Sequence, residues 1–434
     1  MQLIAVRKGV SGTAMRRGHF MLLYAAMLVA ASGNTAVQSV MPAIGRAMAI
    51  PDVMVAIAYT VSAVLWVLLA PMWARASDRH GRKTLILLGV GGFVISSLLC
   101  GLSLEAGLSG LVGGIAAFTL FSIARAVYGA LGSATPSATQ AYLASKTRRS
   151  ARVAALSALA SSFGLGTVIG PAMAPLFVVP AVGLPGPFFG FALIGLAVWL
   201  SVWRWLPDDM KHGRGPRAGH GAAMSYPSIA TPTTGASVIA STAPRSAIRM
   251  HWNDPRIRRW IVAGVASGHA QAAVLTYLGF LVIDRLGLEP MGSEGPIAIV
   301  LMAGAAATLA AQWGLIPRLA MSARALVAVG ALIAAGGFAV LAQASDLYAL
   351  VVGFSLASLG FGFTRPGFTG GASLAVSLGE QGAIAGIITS ANGVSYIAAP
   401  TVAMLIYQLD STLPSVLSGA GMVVLAAWAW RRLD

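Results

Sequence analysis

The sequence predicts an all-α membrane protein of twelve transmembrane helices in two pseudo-symmetric six-helix bundles. Three observations predict it. The 434 residues are 57% hydrophobic and only 10% charged, against about 25% charged in an ordinary soluble domain. Twelve mostly apolar stretches each approach or exceed the roughly 20 residues that cross a bilayer. The 29 Lys and Arg residues, set against 13 acids for a net charge of +16, fall on alternate loops, as they do when positive charge marks the cytoplasmic side. A basic excess on a soluble chain would suggest nucleic acid; on so apolar a chain it is an orientation signal, and no nucleic-acid partner is expected. The single cysteine, Cys100, excludes a disulfide framework and a cysteine-based metal cluster.

In chain order the spans are read as 20–44, 53–73, 84–104, 111–143, 153–179 and 187–206, then 260–283, 296–316, 325–344, 347–374, 383–407 and 414–430. The first is too long for a signal-peptide core of about 7–15 residues. The fourth and tenth are long and carry Pro136 and Pro366, each expected to kink or end its helix. Residues 1–19 form an N-terminal tail and 431–434 a C-terminal one. Between the bundles at 20–206 and 258–430, the Gly-, Pro- and Ser-rich stretch 207–257 reads as a flexible linker.

All but four of the positive residues fall in the two tails, the linker and the 2–3, 4–5 and 8–9 loops. Arg46 and Arg285 lie on the opposite side, and Arg125 and Arg365 lie inside spans. This pattern places both termini in the cytoplasm and the chain in the cell (inner) membrane. The halves echo each other: GLGTVIGP (Gly164–Pro171) matches GVSYIAAP (Gly393–Pro400), and Leu131-Gly132 before Pro136 matches Leu359-Gly360 before Pro366. A six-plus-six repeat is a transporter signature, with the substrate held near the midplane between repeats.

The 2–3 loop reads ARASDRHGRK, with Asp78, Arg79, Gly81, Arg82 and Lys83 as its core. It resembles motif A of the major facilitator superfamily, with Ala74 where the family carries a leading Gly. The resemblance implies a latch that closes the cytoplasmic side. Span 4 reads ARAVYGALG around Arg125 and looks like motif B of proton-coupled members. Span 5 carries Gly166, Gly170 and Pro171 and resembles motif C of the antiporter branch. Ser157 and Ala174-Pro175 stand there in place of further family glycines. The chain thus resembles, over nearly its whole length, a twelve-span drug:proton antiporter. The resemblance implies alternating access, with spans 1, 4, 7 and 10 lining a central cavity.

Polar residues in these spans are the candidate substrate contacts: Asn34 and Gln38 at i, i+4, Arg125, Tyr128, His269, Tyr277 and Arg365, with Asn392 and Tyr396 from span 11. A central membrane arginine costs about 2.5–3.5 kcal/mol to insert, which argues for a polar surrounding. Gln271 sits about 200° around its helix from His269, so both cannot face one cavity. All thirteen acids fall at span ends or beyond. With no carboxylate deep in the bilayer, the expected substrate is a neutral or anionic small molecule. His269, the intramembrane side chain that titrates near neutral pH, and Arg125 are the proton-coupling candidates, with Asp52, Glu105 and Asp284 at the far mouth as alternatives. An importer or facilitator is the second reading. No HExxH, Gly-x-Ser-x-Gly or Walker pattern is present, so neither an enzyme nor ATP coupling is expected, nor a metal or cofactor. A transport-dead receptor would be expected to lose motif A, whose Asp78 and Gly81 remain. The expected partners are the small-molecule substrate, the lipid bilayer and protons, and the chain is expected to be a monomer.

Overall fold

A computed structural model describes residues 17–147, 149–208, 250–377 and 380–433. Among the described residues, twelve long helices cross the molecule. In the first half they are α1 (Arg17–Ala47), α2 (Asp52–His80), α3 (Arg82–Leu108), α4 (Gly114–Lys146), α5 (Arg149–Phe177) and α6 (Gly186–Trp205). In the second half they are α7 (Pro255–Leu286), α8 (Glu294–Leu319), α9 (Ala323–Gln343), α10 (Leu347–Leu374), α11 (Gln381–Leu409) and α12 (Leu413–Arg432). A bilayer offers the backbone no hydrogen-bond partners, so each apolar run must satisfy its own amides as a helix. Most of the linker, 209–249, lies outside the described residues.

The prolines act differently. In α4 the α ladder breaks at Ser133, because Pro136 has no N–H to give and its ring crowds the carbonyl four residues back. In α10 the helix runs through Pro366 without a break. An interruption the sequence did not announce lies in α8, where Ala310–Leu315 widens into a π-helix just ahead of Pro317, which has no N–H to give to the helix ladder.

The two halves repeat one packing scheme. The α1–α5 and α7–α11 pairs correspond, as do α3–α4 and α9–α10. Gly170 lets α5 touch the α1 backbone: a Cβ there would collide with Thr35 Oγ1, the Ser32 carbonyl and the Ala36 amide. Thr35 also donates to the Gly166 carbonyl at 3.1 Å. In the second half Ser395 takes the place of Gly166 in the sequence echo and donates to the Val265 carbonyl of α7. The halves meet through α2 against α11 and α5 against α8, a symmetric pair of seams. Thr60 and Thr401 hydrogen-bond across the first at 3.3 Å.

Both α1 and α7 begin, and α12 ends, at one face, called here the near face. Arg259 at the start of α7 donates to the Arg432 carbonyl at the end of α12. The opposite face is the distal face.

Candidate functional site between the halves

A cavity of about 50 Å³ lies between the halves. It is walled by Gln38 and Met41 of α1, Tyr59 of α2, Thr276 and Phe280 of α7 and Tyr396 of α11, with small apolar residues between them. These residues form stripes at helical spacing, Gln38/Pro42 on α1, Ala272/Thr276/Phe280 on α7 and Tyr396/Pro400 on α11, so each helix offers one face. Such a space holds a few waters, whereas ligand pockets run to about 300–1,000 Å³. Among the described residues no carboxylate lines the cavity. The Gln38 Oε1 is buried with no hydrogen-bond donor facing it among the described residues.

Arg125 stands behind this wall. It is almost wholly buried, 4% exposed, and its Nη2 donates to Asn34 Oδ1 of α1. Its guanidinium lies 5.1 Å from the ring centres of both Tyr59 and Tyr128. The reason is local. Gly129 of α4 lies against the Ser62 backbone of α2, Ser62 donates to the Arg125 carbonyl at 3.3 Å, and Tyr59 is one turn away on α2. Tyr128 is fixed in turn by Trp66 and Phe93, at centroid distances of 5.5 and 5.7 Å. Two aromatic faces and one amide oxygen thus take the place of a carboxylate as partners of the charge. Through Tyr59, Arg125 is one side chain removed from the cavity.

At the distal end the cavity is capped by charge. Arg46, in the last turn of α1, donates from Nε and Nη2 to Asp52 at 2.8 and 2.6 Å. It also donates from Nη1 and Nη2 to Asp284 of α7 at 3.0 and 3.2 Å. Tyr407 of α11 donates to the same Asp284 at 2.6 Å. The Arg46 guanidinium also covers the Phe280 ring at 5.6 Å. Just inside this cap, Gly279 of α7 sits against the Pro42 ring. At the distal face one arginine bridges the two halves.

The remaining predicted residues have separate surroundings. Arg365 of α10 is buried and interacts electrostatically with Tyr396, which links it to the cavity wall. His269 Nδ1 donates to the Val265 carbonyl of its own helix at 2.8 Å. Asn392 is half-buried on α11, one turn before Tyr396. Tyr277 turns from the cavity to α12, bonding Ser415 at 3.0 Å and stacking on Tyr407 at 5.9 Å. Gln271 faces a second, smaller space against α8 and α10. Gly166, Gly170 and Pro171 lie in the α1–α5 region and not at the cavity.

In the α2–α3 turn, Gly81 has φ 91°, a conformation that glycine adopts without penalty. Lys83 donates to the Trp203 carbonyl of α6 at 2.8 Å, within its own half. Arg79 is exposed and Arg82 half-buried, and the side chain of Asp78 lies outside the described residues. On the same near face, Arg256 binds Glu380 at 2.9 Å and Asp254 at 2.8 Å within the second half. This guanidinium, with a 2.7 Å bond from Ser377, holds the Glu380 carboxyl down at about 2.

Sequence reasoning missed Tyr59, Thr276, Phe280 and the assembly of Arg46, Asp52, Asp284 and Tyr407. The available signal was that Arg46 is isolated on a side poor in positive charge, with acids at two span ends to meet it.

The fold is shared with solved membrane transporters. The human organic anion transporter MFSD10 (TETRAN) superposes with a TM-score of 0.64 at 18% identity, over 95% of this chain and 99% of that one. The xylose transporter XylE from E. coli, in a partially occluded inward-open conformation, gives 0.66 at 15% identity over 96% and 97%. Among sequence relatives, the class B tetracycline resistance protein of Escherichia coli is 29% identical over 146 residues, 34% of this chain and 33% of that protein. ZINC INDUCED FACILITATOR-LIKE 1 of Arabidopsis thaliana is 32% identical over 124 residues, 28% of this chain and 23% of that protein. The chain thus matches about a third or less of the length of these two relatives. A family model described as Major Facilitator Superfamily matches residues 23–400, through both halves and the cavity between them, and the chain belongs to that superfamily of multi-pass membrane transporters.

Proposed function

We propose that this secondary transporter is a proton-linked exporter of a neutral or anionic small organic molecule, working by alternating access. The observation that carries the reading is Arg125, held by Asn34 and two tyrosine rings beside a cavity with no carboxylate among its described lining residues. An organic cation entering there would meet like charge with nothing to offset it, whereas an anion or a hydrogen-bonding neutral molecule would not. Gln38, Tyr59 and Tyr396 are the first contacts in this reading. Arg125 and Arg365 set the charge preference, and Asn34, Tyr128, His269, Tyr277 and Asn392 have supporting places. The motif C resemblance at Gly166, Gly170 and Pro171 and the tetracycline-resistance relative favour export. The motif A residues Asp78, Arg79, Gly81, Arg82 and Lys83 serve as the near-face latch. By the charge pattern the near face is cytoplasmic, in the cell membrane.

The test is to compare extracellular metabolites with and without the protein, then to reconstitute it with the enriched compound. In vesicles oriented like cells, an acidic outside should speed export. Export indifferent to the proton gradient refutes the coupling, and enrichment of cations alone refutes the charge preference. A pH dependence left unchanged by His269→Ala removes His269 as the proton carrier.

A further inference from the structure

We propose that the small space behind Leu275 of α7 is a subsite for the uncharged, ring-bearing end of an elongated cargo, and that Leu275 is the partition that limits cargo length. The proposal rests on reading the cavity between the halves as the cargo site. Among the described residues Leu275 is the one side chain that lines both spaces, the cavity of about 50 Å³ and the space of about 10 Å³ toward α8 and α10. Helical geometry puts it there. Leu275 lies three residues from Ala272 of the cavity stripe and four from Gln271 of the inner one, so it stands between the two stripes on the surface of α7. The inner space alone holds about one water. A ring enters it only as Leu275 swings aside and joins it to the cavity.

The lining sets the chemistry. Among the described residues no charged side chain borders the inner space. Phe354 and Phe361 of α10, both buried, supply aromatic walls. Gly304 of α8 lets them close in, since a Cβ there would run into the Phe354 ring and the Ser358 hydroxyl. Gln271 offers an amide donor and acceptor. Thr308 donates its hydroxyl to the Gly304 and Ser358 carbonyls, each at 3.1 Å, which leaves its oxygen able to accept. An uncharged ring with one hydrogen-bonding group matches this lining, whereas an ion would be desolvated there with no counter-charge. The charged end has its place on the first-half wall of the cavity, where Arg125 stands behind Tyr59. The cargo class is thus an amphiphilic organic acid, its acid toward the first half and its ring toward the second. The walls of the inner space all come from α7, α8 and α10, within the second half, whereas the cavity is shared between halves. Rocking of the halves therefore reshapes the cavity and leaves the inner space intact, so the ring end travels with the second half.

The experiment uses the full chain in nanodiscs, carrying Gln271→Cys in a Cys100→Ser background. Two uncharged thiol reagents are compared, methyl methanethiosulfonate and benzyl methanethiosulfonate, with labelling followed by mass spectrometry. The readout is the benzyl-to-methyl ratio of rates, which cancels changes in thiol reactivity and in overall opening. Leu275→Ala should raise that ratio about tenfold or more, and Leu275→Phe should lower it. The anionic sulfonatoethyl reagent should label slowly in every case. A ratio unmoved by either substitution overturns the partition. A sulfonatoethyl rate that matches the benzyl rate in Leu275→Ala overturns the uncharged subsite. Should Leu275→Ala not fold, Leu275→Phe still decides. Neither cargo nor gradient is present, so failure here leaves the export reading standing. The expected labelling in a chain that does not export keeps the partition and refutes only the direction of transport.

Discussion

Replacing Arg125 with methionine separates a binding role from a structural one, because the energies nearly offset. The change removes a charge-assisted hydrogen bond to Asn34, which contributes about 1.5–3 kcal/mol. It also removes two cation–π contacts at 5.1 Å, each contributing about 0.5–2 kcal/mol. Against these stands relief from holding an arginine in the membrane, about 2.5–3.5 kcal/mol. Mid-range values leave a net loss of about 2 kcal/mol, less than the about 3–5 kcal/mol expected when one partner of a buried ion pair is removed. Methionine fills much of the volume, and the Asn34 amide oxygen can take a water. The expected result is a modestly destabilised protein that inserts and folds but no longer moves its cargo. Denaturation in detergent gives the first quantity, and uptake into proteoliposomes the second. A stability loss well beyond 5 kcal/mol would show that Arg125 is a structural element. Transport at the parent rate would remove it from the site.

Gly170→Val should destabilise the first half by about 1–3 kcal/mol or more, since the added atoms fall on Thr35 and the α1 backbone. Gly393→Ala at the α2–α11 seam meets only Val67 Cγ2 at 2.9 Å and should cost less. Melting both variants in detergent checks the order, and equal melting temperatures refute the close-packing account. Glu380, lowered from 4.5 to about 2 by Arg256 and Ser377, contributes stability that is fully present above about pH 4.5 and lost as the pH falls toward about 2. Glu380→Gln should flatten the acid limb of a melting-temperature profile across that window; an unchanged limb refutes it.

Much of the fold was legible because the bilayer makes it so. An apolar run of sufficient length has no alternative to a helix, and the alternation of Arg and Lys counts the crossings. The break near Pro136 was legible for a covalent reason, the missing N–H. The run of α10 through Pro366 was not, because a helix surrounded by others can be held together from outside. In the site, Arg125 and Asn34 were both expected, but their contact was not, since they lie 91 residues apart. Tyr59 drew no notice because a tyrosine in a span is ordinary until a glycine, Gly129, brings its helix against α4. Tyr277 was expected in the cavity from its position alone, and a rotation about the helix axis turns it to Ser415.

By itself, the sequence determined the class of the protein, the number and order of its spans and the absence of deep carboxylates, all of which follow from composition along one dimension. Only the tertiary structure decided what the few charges do. Arg46 looked like a stray exception to the charge pattern. Packing of α1 against α7 makes it the clasp between the halves, because an ion pair is set by distance in space, and Asp284 lies 238 residues away along the chain.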